Sequence, residues 1–152
     1  MSRALSPVVG ILFLVGVTVL LATTVGALAA VDPAPVASTA HLSLSADASQ
    51  DRVALTHGGG ETLDVSSLSV TVTVDGESLR HQPPVPFFAA TGFESGPTGP
   101  FNVASDDEWS AGETGGFRLA ATNDPQLVDG AHVEVTVATD RGVVATLETT
   151  AT

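Results

Sequence analysis

Cysteine is absent from all 152 residues, which excludes disulfides and thiolate metal sites. Any domain this chain forms must therefore be held by its core. Lysine is absent as well, leaving five arginines as the only strongly basic side chains. Aromatic residues are scarce, at six Phe and one Trp. No Asn-x-Ser/Thr acceptor occurs, because Val103-Ala104 follows Asn102 and Asp124-Pro125 follows Asn123, so N-glycosylation at that motif is not expected. The longest absence is of charge. Between Arg3 and Asp32 there is no ionisable side chain.

That gap leaves Leu5–Val31 as an uncharged run of 27 residues. As a helix it would be ~40 Å long at ~1.5 Å per residue, longer than the ~30 Å hydrocarbon core of a bilayer. Ser6-Pro7 is a start signal, with Ser as N-cap and Pro at the first helical position. From Val8 to Ala30 the segment is apolar on all sides, as a lipid-embedded helix must be. Thr18, Thr23 and Thr24 can return their hydroxyls to carbonyls one turn earlier. Gly10, Gly16 and Gly26 offer room for a neighbouring helix, although they do not form a GxxxG motif. Arg3 before the run and acids after it predict a cytoplasmic N-terminus and an external C-terminal part.

Charge divides the chain sharply. All 17 acids lie after residue 31, against four arginines (Arg52, Arg80, Arg118 and Arg141), a net of −13 for that part. Such a surface repels nucleic acid and anionic lipid, so no nucleic-acid partner is expected. At about 1 M salt the Debye length falls to roughly 3 Å. A lysine-free acidic surface then repels itself little, so the acid excess reads either as ordinary solubility or, more sharply, as the mark of a halophile.

Asp32-Pro33-Ala34-Pro35 stops the helix, and residues 32–37 read as a stiff Pro-rich spacer. Beyond it, over 38–152, the period becomes two. His41–Ser45 and Arg52–Thr56 alternate. Leu68, Val70, Val72 and Val74 share one face, and Asp75-Gly76 is a hairpin signal leading into Glu77–Arg80. Pro83, Pro84 and Pro86 allow only an irregular or edge segment before Phe87-Phe88. Gly116–Ala121 offers Phe117, Leu119 and Ala121 on one face. Residues 131–138 place Val133, Val135 and Val137 inward and pair as a hairpin with 142–149. Six or seven short strands with no helical period predict an all-β antiparallel sandwich of immunoglobulin-like type.

Reactive motifs are not apparent. Gly58-Gly59-Gly60-Glu61 lacks the Lys-Ser/Thr and the helix of a phosphate loop, and reads as a tight turn. Asp106-Asp107-Glu108 lacks the spaced ligands of a calcium loop and reads as a solvated acidic turn. His41, His57, His81 and His132 never pair at metal-ligand spacing. No Gly-x-Ser-x-Gly occurs. Thr91–Gly116 is a long loop in which Phe93, Phe101 and Trp109 read as plugs closing one end of the sandwich. Neither catalytic residues, a cofactor nor a metal is expected, and the chain does not read as an enzyme.

The start Arg3-Ala4-Leu5-Ser6-Pro7-Val8-Val9-Gly10-Ile11 resembles the N-terminus of archaeal type IV pilins, the haloarchaeal pilin family in particular. The resemblance covers Arg3–Ala30, about a fifth of the chain. It implies that Met1–Ala4 is a leader removed by a prepilin peptidase between Ala4 and Leu5, with Arg3 preceding the small residue. The helix over 5–31 would stay on the mature protein. No glutamate follows the cut, so the register-setting salt bridge of bacterial type IV pilins is not available. The implied function is a structural pilus subunit that polymerises through its helix and serves surface adhesion. Its partners would be other pilin subunits and the assembly machinery. Its location would be the cell membrane, single-pass, and then the extracellular filament. Ala27-Leu28-Ala29 before Val31-Asp32-Pro33 supports a different reading: a signal peptide cleaved near Ala29, releasing a secreted binding module. A third reading is a plain membrane anchor on such a module.

Overall fold

The computed structural model describes residues 5–29 and 38–152. They belong to two compact units, Met1–Ala34 and Pro35–Thr152. The expected leader, the 32–37 spacer, and Ala30 and Val31 at the end of the apolar run lie outside the described residues.

The first unit holds one helix, α1 (Leu5–Ala29). Leu5 is already helical, so Ser6 and Pro7 lie inside the first turn and not at its boundary. Pro7 is tolerated there because the first-turn N–H groups have no intrahelical acceptor. Thr18 Oγ1 donates to the Leu14 carbonyl at 2.7 Å and Thr23 Oγ1 to the Leu20 carbonyl at 2.9 Å. The two hydroxyls are thus satisfied within the helix, as expected.

The second unit is built of antiparallel sheets around one hydrophobic core. Strand β1 (Ala40–Asp47) pairs with β2 (Arg52–Gly60), and β2 with β7 (Thr114–Arg118), giving a three-stranded sheet. A four-stranded sheet has the order β5-β4-β8-β9, from β4 (Ser69–Val74), β5 (Glu77–Ser78), β8 (His132–Thr139) and β9 (Gly142–Thr150). Short strands β3 (Leu63–Asp64) and β6 (Glu108–Trp109) form a third pair. Both sheets bury their alternate side chains. Val53 and Leu55 on β2 and Phe117 on β7 contribute from one side, and Val70, Val72, Val74, Val133, Val135 and Val137 from the other. Each fully buried side chain of this size contributes about 1.5–3 kcal/mol, which explains how the unit holds without a cross-link.

The period-two segments land in strands, and the 131–138/142–149 hairpin is present as β8–β9. Asp75 (φ 51°) and Gly76 (φ 79°) both take the left-handed region, the turn that suits the twist of the β4–β5 hairpin. Three expectations need correction. Gly58–Gly60 is not a tight turn: the glycines complete β2, with Gly59 and Gly60 paired to β1 and Gly58 the extra residue at a register irregularity opposite His41/Leu42. Their lack of side chains lets the backbones close up, since a Cβ on Gly60 would lie 2.5 Å from the Thr39 carbonyl oxygen. The expected strand over Gly116–Ala121 is shifted to Thr114–Arg118, and Ala121 is exposed because the chain turns away after Leu119. The stretch 91–116 is not a bare loop. It contains a 3₁₀ turn at Gly99–Phe101, all of β6 and the start of β7.

Candidate functional site

Two surfaces are available for function: the shell of α1 and the outside of the β unit. Ser6–Thr23 is long and apolar enough to cross a membrane, with mean hydropathy 2.3 and no part buried. Every side chain described in that window is exposed; Phe13 is 74% accessible and Leu12 66%. A helix that is apolar on all sides is poorly suited to water, and an apolar cover, of which lipid is one, suits it. A Cβ added at Gly10 or Gly16 would meet nothing within 4 Å, so the backbone is open to close approach at both points. Of the expected processing residues, Arg3 and Ala4 lie outside the described residues. Leu5 opens α1, with Ser6 and Pro7 exposed in its first turn.

In the β unit the loop aromatics turn inward. Phe93, Phe101 and Trp109 are buried and form a run of ring contacts with Phe87 and Phe117. Trp109 Nε1 donates to the Glu113 carbonyl at 2.9 Å, so its polar edge is satisfied as well. Phe101 lies flat on β7 because Gly115 leaves space; a Cβ there would sit 2.8 Å from its ring.

Sequence reasoning missed three polar residues that organise the interior. His57 is fully buried, edge-on to Trp109 at 5.8 Å. Its Nε2 lies 2.8 Å from the Glu61 carbonyl, and its Nδ1 accepts from the Gly59 N–H at 3.2 Å. That pairing selects the neutral ring protonated at Nε2. Gln82 lies against β4, accepting from Val72 N–H at 2.7 Å and donating back to the Val72 carbonyl at 3.0 Å. Asn123 is buried and ties His81 to Gly92, donating to both carbonyls and accepting from the His81 N–H. All three are committed to backbone groups, which is a structural role. The signal for His57 was its place in register with Val53 and Leu55 on an inward row.

The acidic exterior is almost without ion pairs. Among the described residues there is one, His132 Nε2 to Glu148 Oε2 at 3.9 Å, between two exposed side chains. Asp47 at the end of β1 has its carboxyl held below the usual range, chiefly by the Ser49 hydroxyl at 2.6 Å and further by the Gln50 N–H and Arg52. Among the described residues no group of three or more His, Asp and Glu side chains converges as for a metal ion. Asp106, Asp107 and Glu108 are exposed, as expected, but Glu108 is not part of a turn: it opens β6 opposite Asp64.

No protein-family model matches the chain, and no curated protein matches it. The reading of function therefore rests on these surfaces and on the sequence of the N-terminal segment.

Proposed function

We propose that the protein is a structural subunit of an archaeal type IV pilus, assembled through α1, with the β unit as its exterior. The observation that carries this reading is the N-terminal segment: a Ser-Pro-Val-Val-Gly run opening a helix apolar on every side, behind Arg3-Ala4. Cleavage after Ala4 leaves this helix on the mature chain. In the membrane its shell is covered by lipid. In a filament it is covered by the same helix of neighbouring subunits, with Gly10 and Gly16 as points of close approach. Removing even six of its large side chains from water contributes on the order of 10 kcal/mol. That is enough to hold subunits together without disulfides.

In this reading the β unit is an immunoglobulin-like sandwich facing the outside, its acid excess suited to molar salt. Adhesion to surfaces is the resulting activity, and no catalysis is required of it. Ala27-Leu28-Ala29 favours a second reading, in which a signal peptidase removes α1 and a binding module is secreted. Replacement of Ala4 by a bulky residue, Ala4→Ile, distinguishes them. The pilin reading predicts accumulation of full-length precursor in the membrane and loss of surface filaments. Processing of the variant at the rate of the unaltered protein would contradict it.

A further inference from the structure

Two of the four arginines in the β unit face one another. Arg52 on β2 is the register partner of Arg118 on β7, and directly opposed residues project from the same face of a sheet. Like charges opposed in this way oppose folding, and a chain with 17 acids has ample means of avoiding them. Neither guanidinium is in an ion pair among the described residues. Arg118 Nε donates to the Gln50 carbonyl at 2.9 Å, which fixes its plane. Asp47, the acid in register with Arg52, has Oδ1 engaged by Ser49 and Gln50 and also feels the Arg52 charge, while Arg118 has no acid in register with it.

Between the two arginines lies a cavity of about 160 Å³, completed by Ser95, Thr98 and Gly116, with Glu94 also in its lining. Gly116 keeps it open. A Cβ there would lie 3.0 Å from Thr98 Oγ1 and 3.4 Å from Arg52 Nε, in the gap the cavity occupies. Thr98 is held in place by backbone pairing with Gly116, its N–H donating to the Gly116 carbonyl at 2.8 Å. At ~30 Å³ per water-sized volume, this space has room for a carboxylate and a few carbons. In the lining the two guanidinium groups outnumber the one carboxylate, Glu94, so an anionic group suits it.

We propose that the Arg52–Arg118 cavity is a binding site for a monocarboxylate, gripped by the two guanidinium forks with the Thr98 and Ser95 hydroxyls at its edge. Planar, fixed donors suit a carboxylate in two-point contact. The carboxylate comes either from a free small acid or from an Asp or Glu side chain of a second copy. The proposal does not depend on the role of α1.

The test uses the full chain in uncharged detergent micelles, following arginine Nε–H signals by NMR at constant ionic strength as acetate replaces chloride. The signals of Arg52 and Arg118 are expected to move together and saturate, while those of Arg80 and Arg141 stay in place. Arg52→Gln, with its amide spectrum otherwise retained, should weaken acetate binding roughly tenfold or more. If the Arg52 and Arg118 signals also shift on raising the protein concentration without acetate, and acetate reverses this, the natural ligand is a side chain of a second copy. Independence of protein concentration, with saturable acetate binding, assigns it to a free acid. Equal movement of all four arginines of the β unit, or unchanged binding by Arg52→Gln, would overturn the proposal. On the unaltered protein, tighter binding of phosphate than acetate would do the same.

Discussion

Gln82 completes the β4 ladder with a side chain. Its amide presents a carbonyl and an N–H to Val72 as a neighbouring strand would, beside the Leu79 N–H that also reaches the Val72 carbonyl. Gln82→Ala therefore leaves the Val72 carbonyl one partner and its N–H none. An orphaned buried donor costs about 1–3 kcal/mol. The variant should lose about 2–3 kcal/mol in denaturant unfolding, with the midpoint lowered and the slope unchanged. An unchanged midpoint would show that water replaces the amide there. Such residues were not legible in advance. Gln82 and Val72 are 10 positions apart, and Asn123 is 42 from His81 and 31 from Gly92. Nothing in local pattern marks a Gln or Asn that will serve distant backbone. The apolar rows were legible because burial imposes a period that the strand itself carries.

The β4–β5 hairpin depends on one dipeptide. Asp75 and Gly76 both have positive φ, and Gly76 at φ 79° pays no side-chain penalty for it. A Cβ at Gly76 would meet no neighbour within 4 Å, so a substitution there is felt through the backbone alone. Gly76→Val should destabilise the β unit by about 1–2 kcal/mol, with the loss of protection in hydrogen exchange concentrated at Val74, Glu77 and Ser78. Loss spread evenly over β8 and β9 would contradict a local turn effect. At this scale the hairpin signals and the long strands were readable, because turn chemistry and alternation are both local. The glycine run at 58–60 misled for the same reason. Glycine marks a turn and a tight backbone approach alike, and only the partner strand β1 decides between them. The short β3–β6 pair was hidden because two-residue strands carry no period.

As a whole molecule the chain combines a helix that avoids water with a β unit whose described acids have scarcely any ion-pair partners. With one weak ion pair among the described residues, the surface charge is unopposed repulsion at low ionic strength. Raising salt from about 0.1 M to about 2 M compresses the Debye length from ~10 Å to below ~3 Å. The unfolding midpoint of the β unit in the detergent-solubilised protein should therefore rise markedly over that range. A midpoint that falls with salt would mean that attractive ion pairs, not burial, hold the unit. The larger question is whether α1 remains on the mature protein. Retained behind a cut after Ala4, the helix is the proposed element of assembly; retained with its leader it is a plain anchor, and removed it is only an address. Determination of the N-terminal residue of the mature protein, isolated from membranes and from sheared surface filaments, decides this directly. The account predicts Leu5 in both fractions. A mature chain beginning at Ala30 or Val31 would contradict it.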